Sequence, residues 1–343
     1  MFDFSLLRRL ATASSPAGNE NAVREIIVSR LTELGLPASL SPDGSVASVI
    51  RSSDPSAQSL MLQAHTDEVG FMVKSHTEDG YLKLAPLGIR DSRLLTGRRV
   101  TVMGKNGLLS GFIGAVPIHL SKNNKKIPQY SDLYADIGTE TKEEAEELAP
   151  IGSFGCFTSN FETFGADNGY IKSKALSGRA ACAVLLEIAK HFSSQNTSLP
   201  FNLYFAFSPR GKVTLSGGSA LYSRLKPDAL VSVCAFEIPY DASCFSVSGA
   251  AVPMMEEKYP LDASLASQLR LAFTEKKILS DIPPTSEGEE CEFDIIRLKA
   301  AGARVAAIKL PVKNRNTASE LMRCDVISSV TDALVSILPR LKI

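Results

Sequence analysis

Residues 60–73 read Leu60-Met61-Leu62-Gln63-Ala64-His65-Thr66-Asp67-Glu68-Val69-Gly70-Phe71-Met72-Val73. An apolar run ends on a His and an Asp two residues apart. A buried strand presents an imidazole and a carboxylate at its tip in this way, as a metal site requires. Past Gly70 a second apolar run begins, and with it the chain changes character. The motif therefore marks a junction between two kinds of structure.

On the N-terminal side, residues 4–12 and 19–34 read as helices. The second has the apolar spacing Val23, Ile26, Ile27, Leu31, Leu34, with Asn19 or Asn21 available as a cap and Gly35 as its end. Strands follow at 45–52 and 60–66. Far downstream the same character returns. Helices are expected at 177–192, 217–225, 264–276, 293–302 and 324–338, and apolar strands at 201–208, 229–237 and 303–311. Strands that are apolar throughout are buried on both faces, which points to an α/β sandwich.

Between these parts lie hairpin signals. GFMVKSHTEDGYLKLAPLG turns at Asp79-Gly80, and RRVTVMGKNGLLSGFIGAVP turns at Lys105-Asn106-Gly107. One short helix is expected at 142–149. Short strands with glycine turns predict a small β-barrel or sandwich. The domain reading is an α/β unit of residues 1–68 and 166–343, interrupted by a β-barrel-like unit at 69–165.

Composition narrows the function classes. The chain has 343 residues, 44% of them hydrophobic, with 37 basic and 37 acidic side chains. A balanced surface exerts no general pull on nucleic acid or an anionic membrane. Runs such as Lys122-Asn123-Asn124-Lys125-Lys126 and Glu143-Glu144-Ala145-Glu146-Glu147 read as solvated faces. Six cysteines are scattered without a CxxC pair, which argues against a disulfide framework. Neither a signal peptide nor a membrane-spanning run is read, so a soluble cytoplasmic protein is expected.

The chain resembles the M42 family of metallo-aminopeptidases. The likeness runs through SSPAGNE, AHTDEVGFMV, GIRDSRLLTGRRVTV, GFIGAVPIHL, DLYADIGTETKEEAEELAPIG, KALSGRAACAVLLE, PDALVSV and IKLPVKNR, in the family's order. The resemblance implies a three-layer aminopeptidase-type α/β domain with an inserted small β-barrel domain. It also implies dimers, and in many members twelve-subunit tetrahedral particles. The family's chemistry uses two divalent metals that activate a bridging water, and a Glu that takes its proton.

Carried over residue by residue, the site is depleted. His65 matches the first metal His, and Asp67 the carboxylate that orients it. Ser177 stands at the bridging Asp, where a neutral hydroxyl is a poor substitute. Gly211 stands at the general-base Glu and Lys212 at the adjacent metal Glu. Cys234 stands at the next Asp, with Glu237 nearby as a displaced carboxylate. A thiolate binds metal, but Cys234 ends a buried run and reads as a core thiol. Asn316 stands at the last His, and an amide is a poor ligand for zinc or cobalt. His76, His119, His191 and the acidic loop with Glu289 and Glu290 read as surface or structural residues rather than replacements.

Lys212 suggests how such a site keeps its charge balance. Its ammonium, helped by Arg210 or Arg179, is expected beside Asp67 and His65 in place of metal. The alternative is a solvent-exposed loop lysine. Three functions remain open. One is a homologue without hydrolytic activity that serves in binding or regulation. Another is an active aminopeptidase with a rearranged site, and the third a structural subunit co-assembling with an active paralogue. No cofactor is required by what survives; a divalent zinc or cobalt ion is the one candidate. Expected partners are copies of the chain itself, peptides or the paralogue.

Overall fold

The computed structural model describes residues 2–89, 91–114, 127–194, 199–214, 216–238, 249–256, 259–279, 302 and 304–343. In chain order the strands are β1 (Ser39–Leu40), β2 (Val46–Ile50), β3 (Ser59–His65), β4 (Gly70–His76), β5 (Leu82–Leu87) and β6 (Arg99–Gly104). They continue as β7 (Gly107–Gly114), β8 (Tyr134–Asp136), β9 (Phe154–Phe157), β10 (Glu162–Phe164), β11 (Tyr170–Ser173) and β12 (Asn202–Ser208). The last are β13 (Ala229–Glu237), β14 (Met255–Glu256), β15 (Tyr259–Pro260), β16 (Arg304–Val312) and β17 (Glu320–Arg323). The helices are α1 (Phe4–Thr12), α2 (Asn21–Glu33), α3 (Lys142–Leu148), α4 (Leu176–Ser194), α5 (Gly217–Leu225), α6 (Ala263–Glu275) and α7 (Cys324–Ile337).

Six strands form the main sheet in the order β1-β2-β12-β3-β13-β16. Strands β12, β3, β13 and β16 run parallel, so their C-terminal ends share one rim of the sheet. Leu60, Leu62 and Ala64 of β3 enter the larger core with α1, α2, α4, α6 and α7. Met61 enters a smaller core with Leu221 of α5 on the other face. Burial on both sides explains why β3 reads as an unbroken apolar run. The three layers follow from these two cores.

The chain leaves the sheet after β3 and forms a closed antiparallel barrel, β4-β5-β8-β7-β6-β9. A core including Phe71, Val100, Val102, Ile113 and Phe157 fills it. The fold is thus the mixed α/β architecture with a small barrel that the sequence predicts.

One detail differs from expectation. Helix α2 begins at Asn21, and neither Asn19 nor Asn21 caps it; Glu20 takes the N-cap position without a side-chain cap bond. The Val23 N–H is instead received by the Ser15 hydroxyl at 3.0 Å. At its other end Gly35 has φ of 70°, and the Leu36 N–H returns to the Leu31 carbonyl at 2.9 Å. The helix expected at 293–302, the basic run at 122–126, His119, Glu289 and Glu290 lie outside the described residues, apart from Gly302.

Barrel closure depends on a missing side chain. A Cβ on Gly155 would lie 2.3 Å from the Phe71 ring. We predict that Gly155→Ala destabilises the protein by about 1–3 kcal/mol through overpacking, read as a lower urea midpoint with an unchanged denaturant slope.

Candidate functional site

The parallel rim brings His65, Ser208, Glu237 and Val312 to one edge, where sites in open α/β sheets form. His65 ends β3 in register with Ser208 of β12. Just beyond, the Thr66 N–H donates to the Ser208 carbonyl at 2.8 Å. That bond turns the chain so that Asp67 points back toward the His65 imidazole, with Nδ1 and Oδ1 3.2 Å apart.

Asp67 is 1% exposed and does more than orient His65. Its two oxygens accept the Gly211 N–H at 2.7 Å and the Lys212 N–H at 2.6 Å. Burial pushes the Asp67 carboxyl up, but His65 and the Lys212 backbone outweigh it and leave the pKa below the usual aspartate value. Glu20 completes the contact with this loop. Its Oε1 receives the Gly18 N–H at 2.8 Å and the Arg210 N–H at 2.9 Å. Burial, assisted by the Asp67 charge, raises Glu20 above the usual glutamate value. Two buried carboxylates therefore hold the N–H groups of three consecutive residues, 210 to 212. Arg210 meets this demand in a left-handed conformation, φ 60°.

The opposite side has the same construction. Glu320, buried at the start of β17, accepts the Ser177 N–H at 2.6 Å, the Ser177 hydroxyl at 3.1 Å and the Asn316 N–H at 2.7 Å. Glu237, at the tip of β13, accepts the Asn314 N–H at 2.9 Å and the Arg315 N–H at 2.7 Å. Burial raises its pKa. So Glu237 and Glu320 hold residues 314 to 316, with φ of 55° at Asn314 and 62° at Asn316. The Ser177 contact also places the Glu320 charge at the N-terminus of α4, where the helix dipole favours an anion.

Lys212 lies between the two sides. It is buried, which excludes the exposed-loop alternative, and its Nζ is 3.5 Å from Ser177 Oγ. The expected helpers are elsewhere. The Arg179 guanidinium lies 3.6 Å from Glu68, and Arg210 contributes its backbone N–H to Glu20. Cys234 is buried inside β13, opposite Lys309. His76 bonds the Ala149 carbonyl at 2.8 Å, and His191 packs edge-on against Phe192.

A neighbouring buried network escaped the sequence reading. The Glu68 carboxylate accepts Lys174 Nζ at 2.7 Å and the Ser15 N–H at 2.9 Å. Lys174 Nζ also lies 3.4 Å from the Cys156 thiol. Burial works against the Lys174 ammonium, yet Cys156 and Glu68 carry its pKa above the ordinary lysine value. The available signal was Glu68 itself, a charge placed directly beside Asp67 in an apolar context.

The donor set does not suit the dinuclear centre that the family resemblance implies. Ser177 is committed to Glu320, position 211 offers only a backbone N–H, and an ammonium stands at position 212. Among the described residues no three His, Cys, Asp or Glu side chains converge in the manner of a metal site. The pocket bounded by Ser177, Lys212, Asn316, Glu320, Glu68 and Lys174 is filled by its own walls to below the size of a water molecule.

A family model described as M42 glutamyl aminopeptidase matches residues 44–332. The chain is 29% identical over 235 residues to the glutamyl aminopeptidase of Lactococcus lactis, covering 67% of this chain and 65% of that protein. It thus spans just under two thirds of the length of the first curated relatives it matches. Among solved structures it is similar to a TET aminopeptidase from a Thaumarchaeota archaeon of marine sediment, with a TM-score of 0.90, 23% identity and coverage of 99% and 97%. A Pyrococcus horikoshii peptidase that can assemble into a tetrahedron or a large octahedral shell superposes at a TM-score of 0.85, with 22% identity and coverage of 98% and 99%. At these identities the structural likeness speaks to the fold.

Glu20 and Asp67 make opposite predictions. Glu20 uses one oxygen for both donors, so an amide oxygen serves equally well, and Glu20→Gln should stay within about 1 kcal/mol of wild type. Because the folded pKa of Glu20 is raised, wild type loses stability as pH climbs from the unfolded value through the folded one. The variant should therefore gain on wild type across that window. Asp67 uses both oxygens, and its lowered pKa contributes stability that is lost as pH falls through the folded value. Asp67→Asn turns an amide donor against a backbone N–H and should cost about 2–4 kcal/mol at neutral pH. Urea unfolding across a pH series measures both.

Proposed function

The chain belongs to the M42 glutamyl aminopeptidase family, and from that premise we propose that it is a member without hydrolytic activity that works through binding or regulation. The observation that carries this reading is the loop at 211 and 212. Where the family places its general base and an adjacent metal carboxylate, this chain offers the two backbone N–H groups held by Asp67. Loss of the base alone costs about two to four orders of magnitude in rate. Ser177 and Asn316 at the bridging-Asp and last-His positions support the reading, as does Lys212 in the pocket.

Assembly belongs to the same proposal. We take residues 69–165 as an inserted unit within an α/β unit of residues 1–68 and 166–343, and we assign it to self-association. Its strand β7 exposes Leu108 (67%) and Phe112 (53%) on the outside of the barrel, an apolar pair suited to an interface. Co-assembly with an intact paralogue would use the same face. No described helix is long and apolar enough to cross a membrane. A cytoplasmic setting is part of this reading, in keeping with the free cysteines at 156, 182, 234 and 324.

The test is a panel of aminoacyl chromogenic substrates assayed after loading with zinc or cobalt, beside an intact family member. We expect release at least about a hundredfold below that of the intact member. Comparable release together with two tightly bound metal equivalents would establish the active alternative with a rearranged site.

A further inference from the structure

The preceding reading takes the family's metal chemistry as absent, and on that reading the pocket raises a second question: what balances its buried carboxylates. We propose that Lys212 is a built-in cation that takes the place of the metal pair and closes the pocket to divalent ions. Three observations meet at this residue.

The first is its path across the site. The Lys212 N–H donates to Asp67 Oδ2 at 2.6 Å. Its Nζ approaches Ser177 Oγ at 3.5 Å, and that hydroxyl donates to Glu320 Oε1 at 3.1 Å. One residue thus joins Asp67 at the tip of β3 to the Ser177–Glu320 pair at the head of α4. Both carboxylates are buried, and a buried carboxylate left without compensation is costly. Two dications would supply that compensation in a working family member; here Lys212 spans the gap, its N–H on Asp67 and its ammonium at the Ser177 hydroxyl that bonds Glu320.

The second is how firmly Lys212 is seated. The side chain is only 7% exposed. A Cβ on Gly88 would fall 2.9 Å from Lys212 Cβ and 3.0 Å from its carbonyl oxygen. Gly88, just past β5, has φ of 73° and no side chain, and so lets the lysine backbone and Cβ lie against the barrel. A lysine wedged in this way is part of the wall rather than a loop residue that swings aside for a metal.

The third is the filling of the space. The walls around Lys212 leave less than a water-sized volume. A divalent ion entering there meets an ammonium, and like charges repel strongly where water screens them poorly.

The full chain provides the test. Wild type, Lys212→Met and Lys212→Arg are melted with and without Zn²⁺ or Co²⁺, and retained metal is counted after gel filtration. Wild type is expected to retain no stoichiometric metal and to melt at the same temperature with or without it. Lys212→Met is expected to melt several degrees lower and to recover part of the loss on adding metal, while Lys212→Arg stays near wild type. If Lys212→Met fails to fold while Lys212→Arg folds, the charge requirement stands, and the metal content of wild type decides the rest. The inference is overturned if wild type retains metal in a manner abolished by His65→Ala, or if Lys212→Met melts with wild type and ignores metal. Chromophore release by wild type would instead overturn the functional reading, so the two failures are separable.

Discussion

Two pairs of carboxylates, with Glu20, Asp67 and Glu320 buried and Glu237 half-buried, hold the rim of the sheet in shape. Glu20 and Asp67 receive the N–H groups of residues 210 to 212, and Glu237 and Glu320 receive those of residues 314 to 316. A hydrogen bond to a charged acceptor contributes about 1.5–3 kcal/mol, and leaving such a buried carboxylate without donors costs at least as much. Together these bonds offset the strain of left-handed backbone at Arg210, Asn314 and Asn316. The donors are main-chain groups, which any non-proline residue supplies. The loops therefore keep their course whatever side chains they carry, here glycine at 211, lysine at 212 and asparagine at 316.

A second set of charges works at the seam between barrel and sheet. Cys156 on β9, Glu68 between β3 and β4, and Lys174 and Arg179 around the start of α4 are all buried together. Glu68 receives Lys174, the Ser15 N–H and the approach of Arg179, tying the barrel to the helical layer. Arg179 Nη2 also reaches the Ser15 carbonyl at 3.4 Å, while Nε and Nη1 have no hydrogen-bond partner among the described residues. Two cations against one carboxylate leave the cluster rich in positive charge.

Much of this was legible in the sequence because hydrophobic periodicity reports burial, and burial fixes layers. The unbroken apolar run ending at His65 announced a strand covered on both faces, and the glycine turns at 80 and 107 announced the barrel hairpins. That Ser177, Gly211, Lys212, Cys234 and Asn316 stand at the family's ligand and base positions is an expectation carried by the resemblance alone. What the pattern hid were the acceptors. Glu20 and Glu320 look like ordinary solvated acids and Glu237 like a displaced metal carboxylate, since nothing in their spacing shows that each accepts backbone N–H groups from a segment distant in the chain. The capping of α2 was misread for the same reason, with Ser15 supplied by the preceding loop. Lys212 was expected beside Asp67 and is there through its N–H, while its ammonium continues on to Ser177.

Two glycines of the site make room for the His65 imidazole. A Cβ on Gly211 would stand 2.7 Å from His65 Cβ and 3.0 Å from Asp67 Oδ1. A Cβ on Gly178 would stand 2.5 Å from His65 Cε1. The imidazole therefore lies against both backbones, in space that side chains at 178 and 211 would need. A glutamate placed at position 211 displaces His65 or Asp67, and with Asp67 the bonds that hold the loop. A carboxylate placed at 212 removes the ammonium that reaches Ser177 and adds an anion to a site that already holds Asp67 and Glu320. His65 and Asp67 thus act together on this loop, the imidazole packing against its backbone and the carboxylate pinning its N–H groups.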